Sequence, residues 1–122
     1  MKNISLVSLV VLLLTGCVPL LVGAGVVTGY ALSSDSATGN VASEYRVLWD
    51  MCLDKLETME AELVYSNESK GVIKARVSEN AVIIKINTVS QSTQRLRVSA
   101  RRTMMPKPQF AQKVFFKIVE DL

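Results

Sequence analysis

The sequence predicts an α+β protein, a two-layer sandwich in which an antiparallel meander of three or four strands is covered on one face by an N-terminal and a C-terminal helix. Two helical apolar patterns flank a central stretch in which apolar and polar residues alternate between polar turns. Elements of this kind bury their apolar sides most simply when both helices pack on one face of a single sheet. With 122 residues, the chain holds one small domain, which we place at residues 41–122.

The first helical pattern follows Ser43, a residue type that favours helix N-caps, and extends to about Leu63. Its apolar side chains recur every three or four residues, which is the spacing of a buried helical stripe. They are Tyr45, Leu48, Trp49, Cys52, Leu56, Met59 and Leu63. Because a thiol on such a stripe behaves as a small hydrophobe, we expect Cys52 to be an inert residue of the core.

Strands are predicted at residues 63–66, 72–77, 81–89 and 93–102, separated by polar turns. Alternation in the last three strands directs one set of apolar side chains toward the helices: Ile73, Ala75, Val77, Val82, Ile84, Ile86, Leu96, Val98 and Ala100. Pro106 and Pro108 end the last strand and open the second helix. The apolar face of that helix consists of Phe110, Ala111, Val114, Phe115, Ile118 and Leu122.

Charge is distributed unevenly along the chain. Residues 70–107 contain nine bases and one acid, a net charge of +8, whereas residues 43–63 contain six acids and two bases, a net charge of −4. Alternation places six of the bases on the side of the sheet away from the helices: Lys74, Arg76, Lys85, Arg95, Arg97 and Arg101. We call these six side chains the basic face.

Two interpretations of the basic face remain open. Long Lys and Arg stems cover exposed strands well, so the charges could serve only to solvate the sheet. Alternatively, they form a binding surface for an anionic lipid, an acidic cell-wall polymer or an acidic protein, since each cation near an anionic surface contributes ~1 kcal/mol. We expect no nucleic acid partner, because sheet-based RNA binders stack bases on strand aromatics and the predicted outward positions carry none.

The N-terminus has the pattern of a secretory signal: Lys2 is followed by a nearly unbroken apolar run over residues 4–14. The run ends in Leu14, Thr15, Gly16 and Cys17, the pattern of a bacterial lipobox. We therefore predict a lipoprotein signal peptide at residues 1–16, cleavage before Cys17, and attachment of acyl chains to Cys17. Two or more acyl chains hold a protein stably on a membrane.

Residues 17–40 are rich in Gly, Ala and Ser, and we predict a lipid-anchored tether there. In lipoproteins of enteric-type bacteria, Asp after the lipidated Cys retains the protein in the inner membrane. By resemblance, Val18 favours the outer membrane, with the domain facing the periplasm. The competing interpretation is an uncleaved membrane anchor, because apolar residues resume after Cys17 and continue to Leu32.

The chain contains no His, which excludes Ser-His-Asp catalysis, His-assisted Cys catalysis and the His-containing zinc sites. No Gly-rich phosphate loop follows a strand, and the acids of the first helix are spaced like a solvated helical face. We therefore predict no catalytic residues, no metal and no cofactor, and we expect a non-enzymatic structural or adaptor protein. The alternative is an envelope enzyme or metal-dependent factor whose site the sequence does not reveal.

The lipobox, the Gly/Ala-rich segment at residues 23–30 and the helix–strands–helix order resemble a family of small bacterial lipoproteins known only as a domain of unknown function. The resemblance runs from Glu44 to Leu122 and includes Trp49 and the strands at residues 71–76 and 96–98. It implies the same fold and the same envelope location. It implies no activity, substrate or catalytic residue.

The lipobox interpretation predicts that the chain takes up labelled palmitate in a bacterial host and that Cys17→Ala abolishes the incorporation. The thiol of Cys17 is the acceptor of the diacylglyceryl group, so no other residue can replace it. Cys52→Ala is the matched control and should incorporate label as the wild type does. Labelling of the Cys17→Ala variant, or a signal that is never cut in the wild type, would show that Cys17 is not the anchor.

Overall fold

The structure is a computed structural model that describes residues 20–22 and 25–122. The predicted signal peptide, the lipobox, Cys17 and Val18 lie outside these residues. The elements follow one another as β1 (Leu20–Val22), β2 (Gly25–Leu32), β3 (Ser36–Val41), α1 (Tyr45–Thr58), β4 (Glu62–Asn67), β5 (Val72–Val77), β6 (Asn80–Ser90), β7 (Thr93–Arg102), β8 (Met105–Pro106) and α2 (Pro108–Val119).

One antiparallel sheet contains all the described strands in the order β1-β2-β3-β7-β6-β5-β4, and β8 pairs with the end of β7. The two helices pack on the same face of this sheet, so the predicted α+β architecture is confirmed. The sheet is wider than the expected three or four strands, because β2 and β3 continue it beyond β7. Strand β7 lies in the interior of the sheet and pairs with both β3 and β6.

The tether predicted for residues 17–40 is wrong over residues 25–40, which form β2 and most of β3. The small side chains of this segment serve close packing rather than flexibility. Ala37 is fully buried, and a Cβ on Gly39 would lie 2.9 Å from Cζ of Phe115 and 2.9 Å from Cγ1 of Val27. The missing side chain at Gly39 therefore lets the Phe115 ring of α2 lie directly on the sheet.

The alternation predicted for β5, β6 and β7 is confirmed residue by residue. The nine side chains expected to point inward are all buried, and their neighbours in sequence are exposed or half-buried. Helix α2 covers this layer with Ala111, Val114, Phe115, Ile118 and Val119, and α1 covers it with Leu48, Trp49, Cys52 and Leu56. Cys52 is a free, fully buried thiol, and burial raises its pKa, so the expectation of a core cysteine holds.

Helix α1 is shorter than the sequence predicts, because it ends at Thr58. Glu60 adopts a positive φ of 57°, a left-handed conformation that stops the helix, and the chain enters β4 two residues later. Leu63, expected on the helical stripe, therefore belongs to the edge strand β4 and is half exposed. The N-cap is Glu44 rather than Ser43, and no side chain caps the first turn.

Helix α2 begins at Pro108, one of the two prolines predicted to open it. The prediction is wrong for Pro106, which belongs to the short strand β8. Its C-terminal end is joined to α1 by Lys55, whose amine binds the carboxylate of Asp121 and lies 3.8 Å from Oε1 of Glu120. The hydrogen bond to Asp121 is the main cause of a raised pKa at Lys55. The two helices are thus linked at their C-terminal ends by an ion pair.

The close contact at Gly39 predicts that Gly39→Ala lowers the free energy of unfolding by about 1–3 kcal/mol, the usual cost of overpacking a well-filled core. Chemical denaturation measures this loss. In a Phe115→Leu background the same substitution should cost less, because leucine has no atom at the position of Cζ. Equal costs in the two backgrounds would contradict the packing described here.

Candidate anion-binding face

The structure brings the six predicted cations together on the face of the sheet opposite the helices, and all six side chains are exposed. Cross-strand pairing shows how they are arranged. Lys85 of β6 pairs directly with Arg97 of β7, with Val72 on the β5 side and Thr38 on the β3 side. Arg95 lies two residues from Arg97 along β7, or roughly 6.7 Å.

A second row crosses the sheet nearer the β7–β8 end. Arg76 of β5 pairs with Ala81 of β6, which pairs in turn with Arg101 of β7. Between the two rows, Lys74 pairs with Ile83, so a half-buried apolar side chain occupies the centre of the basic face. On this face the immediate neighbours of Ile83 are Lys74, Lys85, Ser99 and Ala81, so cations border the small apolar centre on two sides.

Arg101 is the member of the face that the structure pairs with a carboxylate. Its guanidinium donates two hydrogen bonds to Oδ2 of Asp35, from Nη2 at 2.8 Å and from Nε at 3.2 Å. This hydrogen bonding is the main cause of a lowered pKa at Asp35, and the charge of Arg97 contributes further. Asp35 lies in the turn between β2 and β3, within the segment predicted as a tether, so sequence reasoning gave Arg101 no partner.

The other members of the face have no carboxylate ion pair within the part of the chain that the structure describes. Arg95 donates a long hydrogen bond of 3.4 Å to the amide oxygen of Asn40, and the amine of Lys74 lies 5.8 Å from the ring centroid of Tyr65. Lys85 and Arg97 stand side by side with no acid between them. Like charges directly opposite on neighbouring strands destabilise a sheet, so this pair carries a small folding cost.

Tyr65 corrects the expectation that the outward strand positions carry no aromatic residue. Simple alternation from Leu63 would turn Tyr65 toward the helices. A register shift between Leu63 and Tyr65 in β4 adds one residue, so Tyr65 pairs with Lys74 on the outward side. A bulge of this kind leaves no clear mark in the sequence, because it is defined by how β4 pairs with β5 and not by the residue types of β4 alone.

Two features of the described residues bear on metal binding and nucleophilic catalysis. Among residues 27–122, no three Cys, Asp or Glu side chains cluster in a way that could hold a metal ion. The buried Cys52 has a raised pKa and is shielded from solvent, which disfavours the thiolate needed for nucleophilic attack. No helix within the described residues is long and apolar enough to cross a bilayer.

These features define a class of protein: a small α+β sandwich with one helical layer and an open sheet face that carries six exposed cations. No protein-family model matches the chain, so the resemblance to small lipoproteins stays a prediction. No curated protein is similar to it in sequence. A conserved protein of unknown function from Enterococcus faecalis is similar to it in structure, with a TM-score of 0.43 and 11% sequence identity, over 75% of this chain and 74% of that chain.

The Asp35–Arg101 pair predicts a specific pH dependence for Asp35→Asn. A carboxyl whose pKa is lowered by folding stabilises the protein above its unfolded-state pKa of ~4, and that contribution is lost as the pH falls through the folded-state value. We therefore expect Asp35→Asn to be less stable than the wild type at neutral pH, and the two to converge in acid. Urea denaturation across this pH range measures the difference.

Asp50→Asn is the matched control, because it removes the same charge from an exposed pair with Arg46 on α1, 3.9 Å apart. Exposed pairs of this type contribute little, so its stability should follow that of the wild type at every pH. A constant difference between Asp35→Asn and the wild type over the whole range would show that Asp35 does not act through its charge.

Proposed function

We propose that this protein is a non-enzymatic lipoprotein of the bacterial cell envelope, a structural or adaptor module whose basic face binds an anionic surface or an acidic partner. The observation that carries the proposal is the direct opposition of Lys85 and Arg97, neither of which forms an ion pair with a carboxylate among the described residues. Solvation of the sheet requires polar side chains but does not require like charges side by side. Thr or Gln at either position would cover the strand equally well and avoid the repulsion.

Orientation supports the same conclusion. The exposed acids Asp50, Asp54 and Glu57 lie on α1, which packs on the other face of the sheet. An anionic surface would therefore attract one face of the molecule and be repelled from part of the other. A charge distribution of this kind steers association and selects one orientation of binding.

Location at the envelope rests on the lipobox at residues 14–17. We infer that the acyl chains on Cys17 hold the domain at a membrane, with Val18 favouring the outer membrane and the periplasmic side. Nucleic acid remains the weaker candidate partner, because the described outward face carries one aromatic, Tyr65, at the edge of the sheet. Sheet-based RNA binders stack two or three bases on aromatics of their strands.

Charge reversal tests the proposal. The full chain, purified from membranes in a neutral detergent, is titrated with fluorescent inorganic polyphosphate at low salt. Removing two cations from an anionic surface costs about 2 kcal/mol, which is roughly 30-fold in affinity. We expect the Lys85→Glu, Arg97→Glu double variant to lose at least this much, because it also adds two repulsive charges.

Lys113→Glu with Lys117→Glu is the matched control, since it makes the same change in net charge on α2, and circular dichroism confirms that each variant is folded. This control should bind far better than the variant of the basic face. Absence of polyphosphate binding by the wild type, or equal losses in the two double variants, would refute a specific anion-binding face.

A further inference from the structure

The hairpin that joins β7 to β8 departs from ordinary turn chemistry. Arg102 pairs with Met105, so the connecting loop has two residues, Thr103 and Met104. Such loops favour Asn, Asp or Gly, because their residues adopt positive φ. Thr103 has a φ of 58°, which is unfavourable for a β-branched residue. A turn whose residues depart from these preferences is often part of a functional site. We call residues 101–107 the methionine hairpin.

The methionine hairpin holds apolar side chains in solvent. Met104 is 89% exposed and Met105 is 62% exposed, and Met104 is the most exposed large apolar side chain that the structure describes. The two residues are adjacent at the tip, where a water-soluble turn would carry polar groups. Methionine is unbranched and flexible, so its side chain fits irregular apolar surroundings at low cost.

Cations surround the apolar tip. Arg101 and Arg102 precede it, Lys107 follows it, and an open groove at the hairpin is lined by residues 102–107. Arg102 is held by an ion pair with Glu79 in the turn between β5 and β6. The arrangement places a methionine pair beside three cations, of which Arg101 is paired with Asp35, Arg102 with Glu79, and Lys107 with no carboxylate among the described residues.

The hairpin is continuous with the basic face. Arg101 belongs to both, and a second cleft joins Thr103 at the tip to Arg76 and Ala81 on the face. Cross-strand pairing places Arg101 and Pro106 on the side of the basic face and Arg102 and Met105 on the opposite side, so an anionic partner that reaches both methionines contacts this end of the sheet. An acidic polymer or a phosphate group satisfies the cations and leaves the methionines in water. A bilayer satisfies both, since it offers phosphates at its surface and acyl chains beneath them.

We propose that the methionine hairpin inserts Met104 and Met105 into an anionic phospholipid bilayer, with Arg102 and Lys107 at the level of the phosphates. The inference rests on the proposed function and names its partner as the membrane itself. Long cationic stems reach the phosphates while their apolar carbons remain near the acyl region. Anion binding alone would not require exposed methionines, and apolar insertion alone would not require neighbouring cations.

The position of the predicted lipid anchor agrees with this geometry. Leu20 pairs with Val27, which pairs with Val41, which pairs with Gln94 near the start of β7. The chain thus enters the sheet at the level of Gln94, eight residues or roughly 26 Å along β7 from Arg102. Cys17 precedes Leu20 by three positions. Two apolar anchors near opposite ends of the sheet would hold the sheet at the bilayer at two separate points.

Depth-dependent quenching tests the insertion. A Met104→Cys variant of the full chain, purified from membranes, is labelled with an environment-sensitive fluorophore and reconstituted into vesicles of phosphatidylglycerol and phosphatidylcholine. Cys52 is buried and should not react; the labelled wild type serves as the blank for background at either native cysteine. Brominated lipids are expected to quench the Met104 probe several-fold, with a blue shift in its emission.

Val47→Cys is the matched control, because Val47 is an exposed apolar residue of α1 on the other face of the sheet. Its probe should show no quenching although the same lipid anchor holds the protein at the membrane. Equal quenching at the two positions, no quenching at Met104, or quenching at Met104 that is as strong in pure phosphatidylcholine would overturn the proposal.

A second variant tests whether the fluorophore inserts into the bilayer without help from the hairpin. Met105→Ser with Lys107→Glu removes an apolar group and reverses a charge at the hairpin, so the Met104 probe should lose most of its quenching. Persistent quenching in that background would refute a role for the hairpin's own residues. The two proposals can fail separately. If polyphosphate binding depends on Lys85 and Arg97 but the Met104 probe is not quenched, the membrane is rejected as the partner of the hairpin and the anion-binding function stands.

Discussion

The alternation of inward apolar and outward charged side chains along β7 is the constraint on which the rest of the structure depends. This strand pairs with β3 along one side and with β6 along almost its whole length, and α2 packs across its inward face. A slip of one residue would turn Arg95 and Arg97 into the core and Leu96 and Val98 into water. Burial of unpaired charges is so unfavourable that one register is strongly preferred. The same alternation therefore builds the core and creates the basic face.

Close packing on the inward side and charge on the outward side make different demands on the strands. Inward, Phe115 requires a glycine at position 39, and its ring also lies 5.3 Å from that of Tyr30. Outward, the sheet tolerates Lys85 beside Arg97 because water solvates both. The helices leave that face open, so its charges are available to a partner. At the end of β7 the methionine hairpin adds an exposed apolar tip, with Met104 and Met105 close in sequence to Arg102 and Lys107.

The pattern of apolar and polar residues within single elements was sufficient to predict much of this fold. The bounds of β5 and β7 are those predicted, α2 begins at one of the two prolines expected to open it, and the basic face consists of the six residues selected by alternation. In contrast, β2 and β3 were mistaken for a tether, because Gly39 and its small neighbours have the composition of a loop. The outward turn of Tyr65 and the pairing of Arg101 with Asp35 were missed for a related reason. Both depend on how distant segments meet.

The sequence by itself determined the class of fold, the side of the sheet on which the charges lie and the burial of Cys52, since each follows from periodicity within one element. Tertiary structure alone decided the width of the sheet, because the small residues of β3 are identified as a strand only when Phe115 packs against them. It also decided which cations are neutralised, because Asp35 and Arg101 are 66 positions apart in the chain. Contacts at that separation depend on the arrangement of whole elements, which no local pattern encodes.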